Sequence, residues 1–398
     1  MSGSALLAGG GEPEAAVALA PVGTWAAAGT LPTGMRWYGQ NESPQLLADG
    51  RVLAVGGTSI LFTSMSDTAL YDPATGTWSA GAPLGTARRM HTLTVLADGR
   101  VLATGGTTGG QSFPALGMAS TELYDPATGT WTATGALTEP RCGHAASLLP
   151  DGRVLVSGGE HARTSRSSLS LTTAELYDPA TGTWTATGAM NDARWHHQSV
   201  VLDDGRVLAI GGLVSNGYAT TAGLALCELY DPATGTWSAA DTMAAPRFAH
   251  QAVRLLDGTV LVTGGGAPRL SDDAKYDPYS FATTERYDPV TGQWRPDTSL
   301  PWGRSYHRAV LLPSGDCLVV AGTDDASLDA GFRNAVRYDP ATRTWTPTGG
   351  MLAGRWGLGV TVLADGRVLA VGGISRSGVA CPVIGRDEFV QSAEVYTP

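Results

Sequence analysis

The chain has 398 residues and a formal charge of −10, with 36 acidic residues against 26 basic ones. This balance argues against nucleic acid and anionic membrane surfaces as partners, because binding phosphate groups requires clustered Lys and Arg. The four cysteines show no metal-binding spacing and are too few for a disulfide framework in a chain of this length.

Residues 1–22 are expected to form a flexible leader. This segment has no basic region before its apolar stretch, and Glu12 and Glu14 interrupt that stretch, so it is a poor signal peptide. No part of the chain reaches the roughly 18 uninterrupted apolar residues of a membrane helix. We therefore expect a cytoplasmic protein with no membrane partner.

Two phrases recur from residue 23 onward. The phrase YDPATGTW and its variants place tryptophans at intervals of 53, 53, 53, 57 and 51 residues: Trp78, Trp131, Trp184, Trp237, Trp294 and Trp345. The phrase DGRVL followed by a glycine pair marks seven units, with Ala321 replacing the first glycine in the sixth. A fixed period of this length indicates a repeat architecture.

Each unit predicts four short strands. The Asp-Gly and Asp-Pro-Ala-Thr-Gly sequences are hairpin turns, and Tyr and Trp are expected to pack between units. Trp25 lies in the last strand of an incomplete unit, and Tyr396 lies in a unit that lacks its tryptophan. We therefore predict that the N-terminal strand completes the C-terminal sheet and closes a ring, as one domain over residues 23–398.

The glycine pair, the Tyr-Asp pair and the tryptophan at about 50-residue spacing resemble the kelch repeat. The resemblance covers residues 24–398. It implies an all-β fold, a seven-bladed β-propeller of four-stranded antiparallel blades. Kelch proteins include galactose oxidase, glyoxal oxidases, sialic acid mutarotase and non-catalytic interaction domains, so the fold leaves the function open.

The two ends of the predicted blades differ in how much they vary. The hairpins at one end are nearly identical, whereas the segments after the glycine pairs differ in length and content. Variable loops on a fixed ring are where repeat proteins place recognition. All seven histidines fall on this variable side, as do the four tryptophans outside the repeat: Trp37, Trp195, Trp302 and Trp356.

An arginine precedes the first strand of every unit, and in five units a histidine follows three residues later. Hydrogen bonding between blades explains such repeated groups, and a polar site is the alternative. Residues outside the repeat are the better site candidates. These are His161, His196, Glu160, Trp37, Trp195, Trp356 and the segment 36–44, which has three extra residues and contains Glu42.

Resemblance to galactose oxidase implies a copper site. In that family a Tyr two residues after the strand-one Arg binds copper together with a Tyr-His pair two blades earlier. The matching residues here are Tyr38 after Arg36, and Tyr306 and His307 after Arg304. Phenolate oxygen and imidazole suit Cu(II). The blade between them has Gly357 at the corresponding position and so lacks the family's cross-linked cysteine there.

Two further hypotheses need no metal. In the first, which resembles sialic acid mutarotase, histidines act as acid and base while arginines hold an anionic substrate. In the second, the variable face binds a peptide, glycan or protein without catalysis, since aromatic and Arg residues also suit binding surfaces. Copper, or no cofactor at all, is the corresponding expectation.

The sequence favours a monomer that recognises a small molecule in a funnel on the variable face, with catalysis slightly preferred over binding alone. We interpret Lys275, the one lysine, as codon bias of a bacterial genome. The predicted catalytic residues are Tyr38, His196, His197, Tyr306 and His307. The predicted substrate-binding residues are Arg36, Trp37, Glu42, Glu160, Arg194, Trp195, Arg304 and Trp356.

Overall fold

A computed structural model describes residues 23–32, 41–59, 63–108, 116–164, 167–215, 221–267, 280–324, 330–376 and 388–398. These residues form seven four-stranded antiparallel sheets whose innermost strands contact one another around a closed ring. The predicted seven-bladed β-propeller is confirmed. The described residues form no helix that could cross a membrane.

Each blade runs from an innermost strand at the ring axis to an outermost strand at the rim. Blade 1 consists of Gln45–Leu46, Val52–Val55, Thr68–Asp72 and Thr77–Ala80, and blade 2 consists of Thr92–Val95, Val101–Thr104, Thr121–Asp125 and Thr130–Ala133. Blade 3 consists of Ala145–Leu148, Val154–Ser157, Ala174–Asp178 and Thr183–Ala186, and blade 4 consists of Gln198–Val201, Val207–Ile210, Cys227–Asp231 and Thr236–Ala239. Blade 5 consists of Gln251–Arg254, Val260–Thr263, Thr284–Asp288 and Gln293–Asp297. Blade 6 consists of Arg308–Leu311, Cys317–Val320, Ala335–Asp339 and Thr344–Thr348. Blade 7 consists of Gly359–Val362, Val368–Val371, Ser392–Thr397 and Thr24–Thr30.

Short hairpins extend the variable face after the second strands of blades 3, 4 and 7. They pair Glu160–Thr164 with Ser167–Ser170, Leu213–Ser215 with Thr221–Gly223, and Ile374–Arg376 with Glu388–Phe389.

Blade 7 contains both ends of the described chain, as the sequence predicted. Thr24–Thr30 pairs antiparallel with Ser392–Thr397, and Trp25 lies opposite Tyr396 with 5.2 Å between their ring centroids. Every other blade packs the same Tyr-Trp pair in the same way, for example Tyr177 and Trp184 at 5.1 Å. Closure therefore gives the last blade the same internal structure as the others.

The hydrophobic core lies between neighbouring blades. Leu208 and Ile210 of blade 4 pack in one cluster with Val260, Val262 and Tyr287 of blade 5. Because the second strand of each blade is buried on both faces, it is apolar without alternation. Each blade thus stabilises its neighbours.

A glycine is required where the second strand ends. A Cβ at Gly106 would lie 2.6 Å from the Arg89 carbonyl oxygen and 2.9 Å from the His91 Cβ, and the backbone there has φ of +97°. Only glycine adopts that conformation at this contact without strain. The second glycine of each pair therefore lets the variable face pack against the inner strand.

A buried ion pair ties together the strands of five blades. In blade 4, Arg194 is fully buried, donates from Nη2 to Glu228 Oε1 at 2.7 Å, and donates from Nη1 to the Gly211 carbonyl at 3.1 Å. Glu228 also accepts the backbone N–H of Asn191 at 2.7 Å, in the loop that enters the blade. The equivalent pairs are Arg88–Glu122, Arg141–Glu175, Arg247–Glu285 and Arg355–Glu394.

Blade 6 departs from this pattern. Val336 stands where five other blades have glutamate, and Arg304 instead donates from Nη2 to the Asn334 side-chain oxygen at 2.7 Å. Burial lowers the pKa of Arg304 to about 10. The Phe332 ring lies 5.7 Å from the guanidinium carbon and gives it a cation–π contact.

Removing the carboxylate from a buried pair should be costly. We expect Glu228→Ala to reduce the free energy of unfolding by about 3–5 kcal/mol, because it leaves the Arg194 charge buried and uncompensated. The control Arg206→Ala breaks an exposed pair with Asp204 and should cost less than about 1 kcal/mol. Urea unfolding at pH 7 measures both, and equally small losses would contradict the role of the buried pairs.

Candidate functional site

The histidines that recur three residues after the strand-one arginines join neighbouring blades. His197 Nε2 lies 3.1 Å from the Ser157 hydroxyl of the preceding blade, and His307 Nε2 lies 2.8 Å from the Thr263 hydroxyl. His144 makes the same kind of bond to Thr92 at 3.0 Å. All three imidazoles are fully buried, and burial keeps their pKa values well below the usual range. This placement does not support catalytic roles for His197 and His307.

The arginines predicted to bind substrate are also engaged inside the blades. Arg194 and Arg304 are fully buried, and their guanidinium groups donate to blade carbonyls and to Glu228 or Asn334. In this structure neither presents an exposed cation to the funnel. Hydrogen bonding within the scaffold accounts for both.

Three predicted site residues, Arg36, Trp37 and Tyr38, lie outside the described residues. The strand pairing determines the register of the described residues that follow them, from 41 onward. Because Leu46 pairs with Val52 as Leu311 pairs with Cys317, Asn41 corresponds to Tyr306 and Glu42 corresponds to His307. Tyr38 and Tyr306 each lie two residues after an arginine. Counted back from the strands, however, the three extra residues of blade 1 put Asn41, and not Tyr38, at the position of Tyr306.

The extra residues of blade 1 lead into a segment that crosses the ring axis. The Asn41 side-chain nitrogen donates to the backbone carbonyl of His144 in blade 3 at 2.8 Å and of His197 in blade 4 at 3.2 Å. Its side-chain oxygen accepts a hydrogen bond from Gln198 at 2.9 Å. We call residues 41–43 the crossing segment, because they join blades on opposite sides of the axis.

Glu42 occupies the position that histidine has in five other blades. Its Oε1 lies 3.0 Å from His91 Nδ1 and accepts the His91 backbone N–H at 3.3 Å. Its carbonyl oxygen accepts a hydrogen bond from Arg308 of blade 6 at 2.8 Å. Only 2% of Glu42 is exposed, so this predicted substrate-binding residue is instead part of the crossing segment's attachment.

A ring of left-handed residues surrounds the axis just above these contacts. The residue two positions after each described strand-one arginine has φ between +51° and +61°, and the ring contains Met90, Gly143, His196, Ala249, Tyr306 and Gly357. Their backbones bond from blade to blade, for example His196 N–H to the Gly143 carbonyl at 2.8 Å. Four of the six are not glycine, which is uncommon and marks functional sites.

Aromatic side chains cover the side of this ring formed by blades 4 to 7. Tyr306 lies between neighbours from both adjacent blades, with ring centroids 6.3 Å from Phe248 and 5.4 Å from Trp356. Trp195 lies 4.3 Å from His196. We call these five side chains the aromatic wall. It consists of two groups, Trp195 with His196 in blade 4 and Phe248, Tyr306 and Trp356 in blades 5 to 7. The sequence predicted four of these residues for the site but not Phe248.

The side formed by blades 2 and 3 is polar and tightly packed. Glu160 is 2% exposed, and its backbone pairs with that of Cys142, which follows Arg141. Burial raises the pKa of the Cys142 thiol well above its ordinary value, so this cysteine is not an activated nucleophile. Arg89 of blade 2 is 8% exposed and lies near the Glu42 charge.

His196 is the imidazole of the aromatic wall. It is 8% exposed, and burial lowers its pKa to about 4, although the Glu42 carboxylate acts in the opposite direction. At pH 7 the His196 imidazole is therefore neutral. Such a group is a hydrogen-bonding imidazole at neutral pH, since an efficient general base needs a pKa near the working pH.

The described residues do not assemble the copper ligands that the galactose oxidase resemblance implies. Tyr306 belongs to the aromatic wall, whereas its neighbour His307 is directed into the packing between blades, against Thr263. No three His, Cys, Asp or Glu side chains within the described ranges converge as metal ligands. The third ligand that the resemblance implies, Tyr38, lies outside the described residues.

Comparison with known proteins agrees with this fold. Residues 140–191 match the kelch motif. The chain is therefore a β-propeller that contains a kelch motif. The propeller superposes on a fungal alcohol oxidase of the AA5 family, solved in complex with copper, with a TM-score of 0.69 and 20% identity, over 95% of this chain and 76% of that one. At this identity the likeness concerns the fold.

Part of the chain is also similar to curated proteins. Kelch-like protein 34 from Homo sapiens is 30% identical over 250 residues, which are 62% of this chain and 36% of that protein. Alpha-scruin from Limulus polyphemus is 28% identical over 263 residues, 53% of this chain and 28% of that protein. The propeller therefore spans less than half the length of these relatives.

The crossing segment should stabilise the ring. Asn41→Ala removes two donated bonds and one accepted bond across the axis, and we expect the free energy of unfolding to fall by about 1–3 kcal/mol. Asn41→Asp should cost more, because a carboxylate placed against the His144 and His197 carbonyls cannot donate to them. Urea unfolding of both variants at pH 7 tests this order, and a neutral effect of Asn41→Asp would contradict it.

Stability should depend on pH through the buried histidines. The pKa values of His196 and His250 are lowered to about 4 and about 3 from 6.5, so between these values the unfolded chain binds more protons. The stabilisation of the folded state by these neutral, buried imidazoles is complete above pH 6.5 and is lost as the pH falls towards 4. The unfolding temperature should decrease over that range, and less steeply in His196→Gly. An unfolding temperature that is constant from pH 7 to about 4.5 would refute this expectation.

Proposed function

We propose that this propeller binds a small organic molecule at the mouth of the ring, against the aromatic wall and the imidazole of His196. The observation that carries the proposal is the position of His196 and Tyr306 in a ring of left-handed residues. The left-handed backbone costs an ordinary residue about 1–2 kcal/mol. Three large side chains, Met90, His196 and Tyr306, stand where Gly143 and Gly357 suffice in other blades. Two of the three belong to the aromatic wall, which favours a role for His196 and Tyr306 there.

The aromatic wall suits a ligand with a flat or apolar part. Tyr306 and Trp356 are tilted by 52°, and Phe248 meets Tyr306 edge to face at 84°. Each ring therefore presents a different orientation towards its surroundings. Aromatic surfaces with a few fixed polar groups are typical of small-molecule sites.

Binding is favoured over acid–base catalysis by the state of His196. The neutral imidazole offers one donor and one acceptor nitrogen, which is enough to orient a hydroxyl or carbonyl group of a ligand. His197 and His307, the other histidines predicted to be catalytic, are bonded to Ser157 and Thr263 inside the blade packing. The proposal involves no metal, because His307, one of the ligands that the galactose oxidase resemblance implies, is engaged by Thr263 inside the blade packing.

Glycine substitutions test the proposal with little backbone strain, because glycine accepts the left-handed conformation. Indole and p-cresol serve as flat probes, detected by saturation-transfer NMR on the intact protein. We expect His196→Gly and Tyr306→Gly to weaken binding by at least about tenfold, or 1.4 kcal/mol. Ala249→Gly is the matched control at the same ring position and should bind as the parent does.

Unfolding curves of all three variants separate binding from stability. Loss of probe binding with a folded protein supports the proposal. If the parent protein binds neither probe, or if folded His196→Gly and Tyr306→Gly variants bind as well as Ala249→Gly does, the aromatic wall is not a ligand site.

A further inference from the structure

A second pocket lies on the ring axis beside the crossing segment. Its volume is about 200 Å³, its surface is mostly polar, and it is partly open to solvent. It is separate from the aromatic wall, none of whose members lines it. Six blades contribute one equivalent residue each to its lining: Ser43, Thr92, Ala145, Gln198, Gln251 and Arg308.

These six residues occupy one position of the repeat. Each directly follows the position that is a buried histidine in five blades, and all but Ser43 begin the innermost strand of their blade. Successive side chains of an extended chain point to opposite sides, so the residue after each inter-blade histidine faces the axis. Blade 7 has Gly359 there. The closed ring thus produces a circle of side chains, which we call the axial girdle.

Two glutamines of the axial girdle hold amide oxygens that lack a protein partner. The Gln251 amide nitrogen donates to the His250 carbonyl at 3.0 Å, and the Gln198 amide nitrogen donates to the Asn41 side-chain oxygen at 2.9 Å, so both amides are oriented. Within the described ranges, neither Oε1 accepts a hydrogen bond. Only 7% of Gln251 is exposed. Because an unpaired buried acceptor is costly, this oxygen requires water or a ligand in the pocket.

The two amide oxygens belong to neighbouring blades. The innermost strands of blades 4 and 5, Gln198–Val201 and Gln251–Arg254, contact each other, and each glutamine is the first residue of its strand. Ser43, on the crossing segment, adds a hydroxyl group that bonds to no other residue in the part of the chain that the structure describes. The axial girdle therefore presents several neutral oxygens to one pocket, and such a set favours a ligand with several hydrogen-bond donors.

The charges in the pocket disfavour ions as ligands. Among the described residues, no Asp or Glu lines it, and the Arg308 guanidinium there would repel a cation. An anion would face the amide oxygens of the two glutamines. Arg308 itself donates to the Leu358 carbonyl at 2.6 Å and to the Glu42 carbonyl at 2.8 Å, and we assign it no ligand contact.

We infer that the axial girdle binds a small neutral polyol whose hydroxyl groups donate to the amide oxygens of Gln198 and Gln251. Each hydroxyl group supplies one donor and can also accept, so hydroxyls on adjacent carbons match acceptors on adjacent blades. Water satisfies the same oxygens in the free protein, and a polyol replaces several waters at once. This ligand has no flat apolar part, so it differs in class from the ligand proposed for the aromatic wall.

Erythritol tests this inference, with 1,4-butanediol as a matched probe that has the same carbon chain but no hydroxyls on adjacent carbons. Titrations followed by saturation-transfer NMR on the intact protein measure both affinities. We expect saturable binding of erythritol and at least about tenfold weaker binding of 1,4-butanediol. Folded Trp356→Ala, which alters only the aromatic wall, should bind erythritol as the parent does. No saturable binding of erythritol, or equal affinity for the two probes, would overturn the inference.

Gln251→Met and Gln198→Met each remove one amide oxygen and keep a side chain of similar length. Each should weaken erythritol binding by about threefold to tenfold, the loss expected for one neutral hydrogen bond. Gln293→Met is the matched control, because it makes the same change on the outermost strand of blade 5, and it should bind as the parent does. Gln198 is less buried than Gln251, so its variant serves if Gln251→Met fails to fold. Parental affinity in a folded Gln198→Met or Gln251→Met protein would refute the assignment.

Discussion

Closure of the ring is the constraint on which the rest of this structure depends. Pairing of Thr24–Thr30 with Ser392–Thr397 removes an exposed blade face and brings seven innermost strands to one axis. Residues at the axis then meet copies of the same position from the neighbouring blades. This crowding accounts for the left-handed backbone at the mouth and for the glycine pairs. It also explains why the side chains of the repeated histidines extend only to a hydroxyl group of the preceding blade.

The chemically distinctive residues of the molecule lie where a blade departs from the repeat. Where most blades have histidine, blade 1 has Glu42 and blade 7 has Leu358, and Glu42 bonds to His91 while its own backbone is held by Arg308. The crossing segment exists because blade 1 has extra residues that no other blade has. It lies between a mouth with an aromatic wall and a pocket lined by the inner strands.

The site could be predicted only in part. The sequence singled out His196, Tyr306, Trp195 and Trp356 because they break the repeat or follow the family pattern, and in the structure they lie on blades 4, 6 and 7 of the candidate site. His197, His307, Arg194 and Arg304 carry the same signals, yet their side chains are directed into the blades. Asn41 and Arg308 were missed, although the extra residues of blade 1 pointed to the segment that contains Asn41.

The amino-acid sequence determined the number of blades, their hairpins and the completion of the last blade by the first strand, because turn chemistry and the spacing of Tyr and Trp are local properties repeated seven times. The tertiary structure decided which polar residues face the axis and which face a neighbouring blade. Consecutive residues such as Tyr306 and His307 separate at that point, because a left-handed backbone reorients the chain between them, and no spacing in the sequence records that turn.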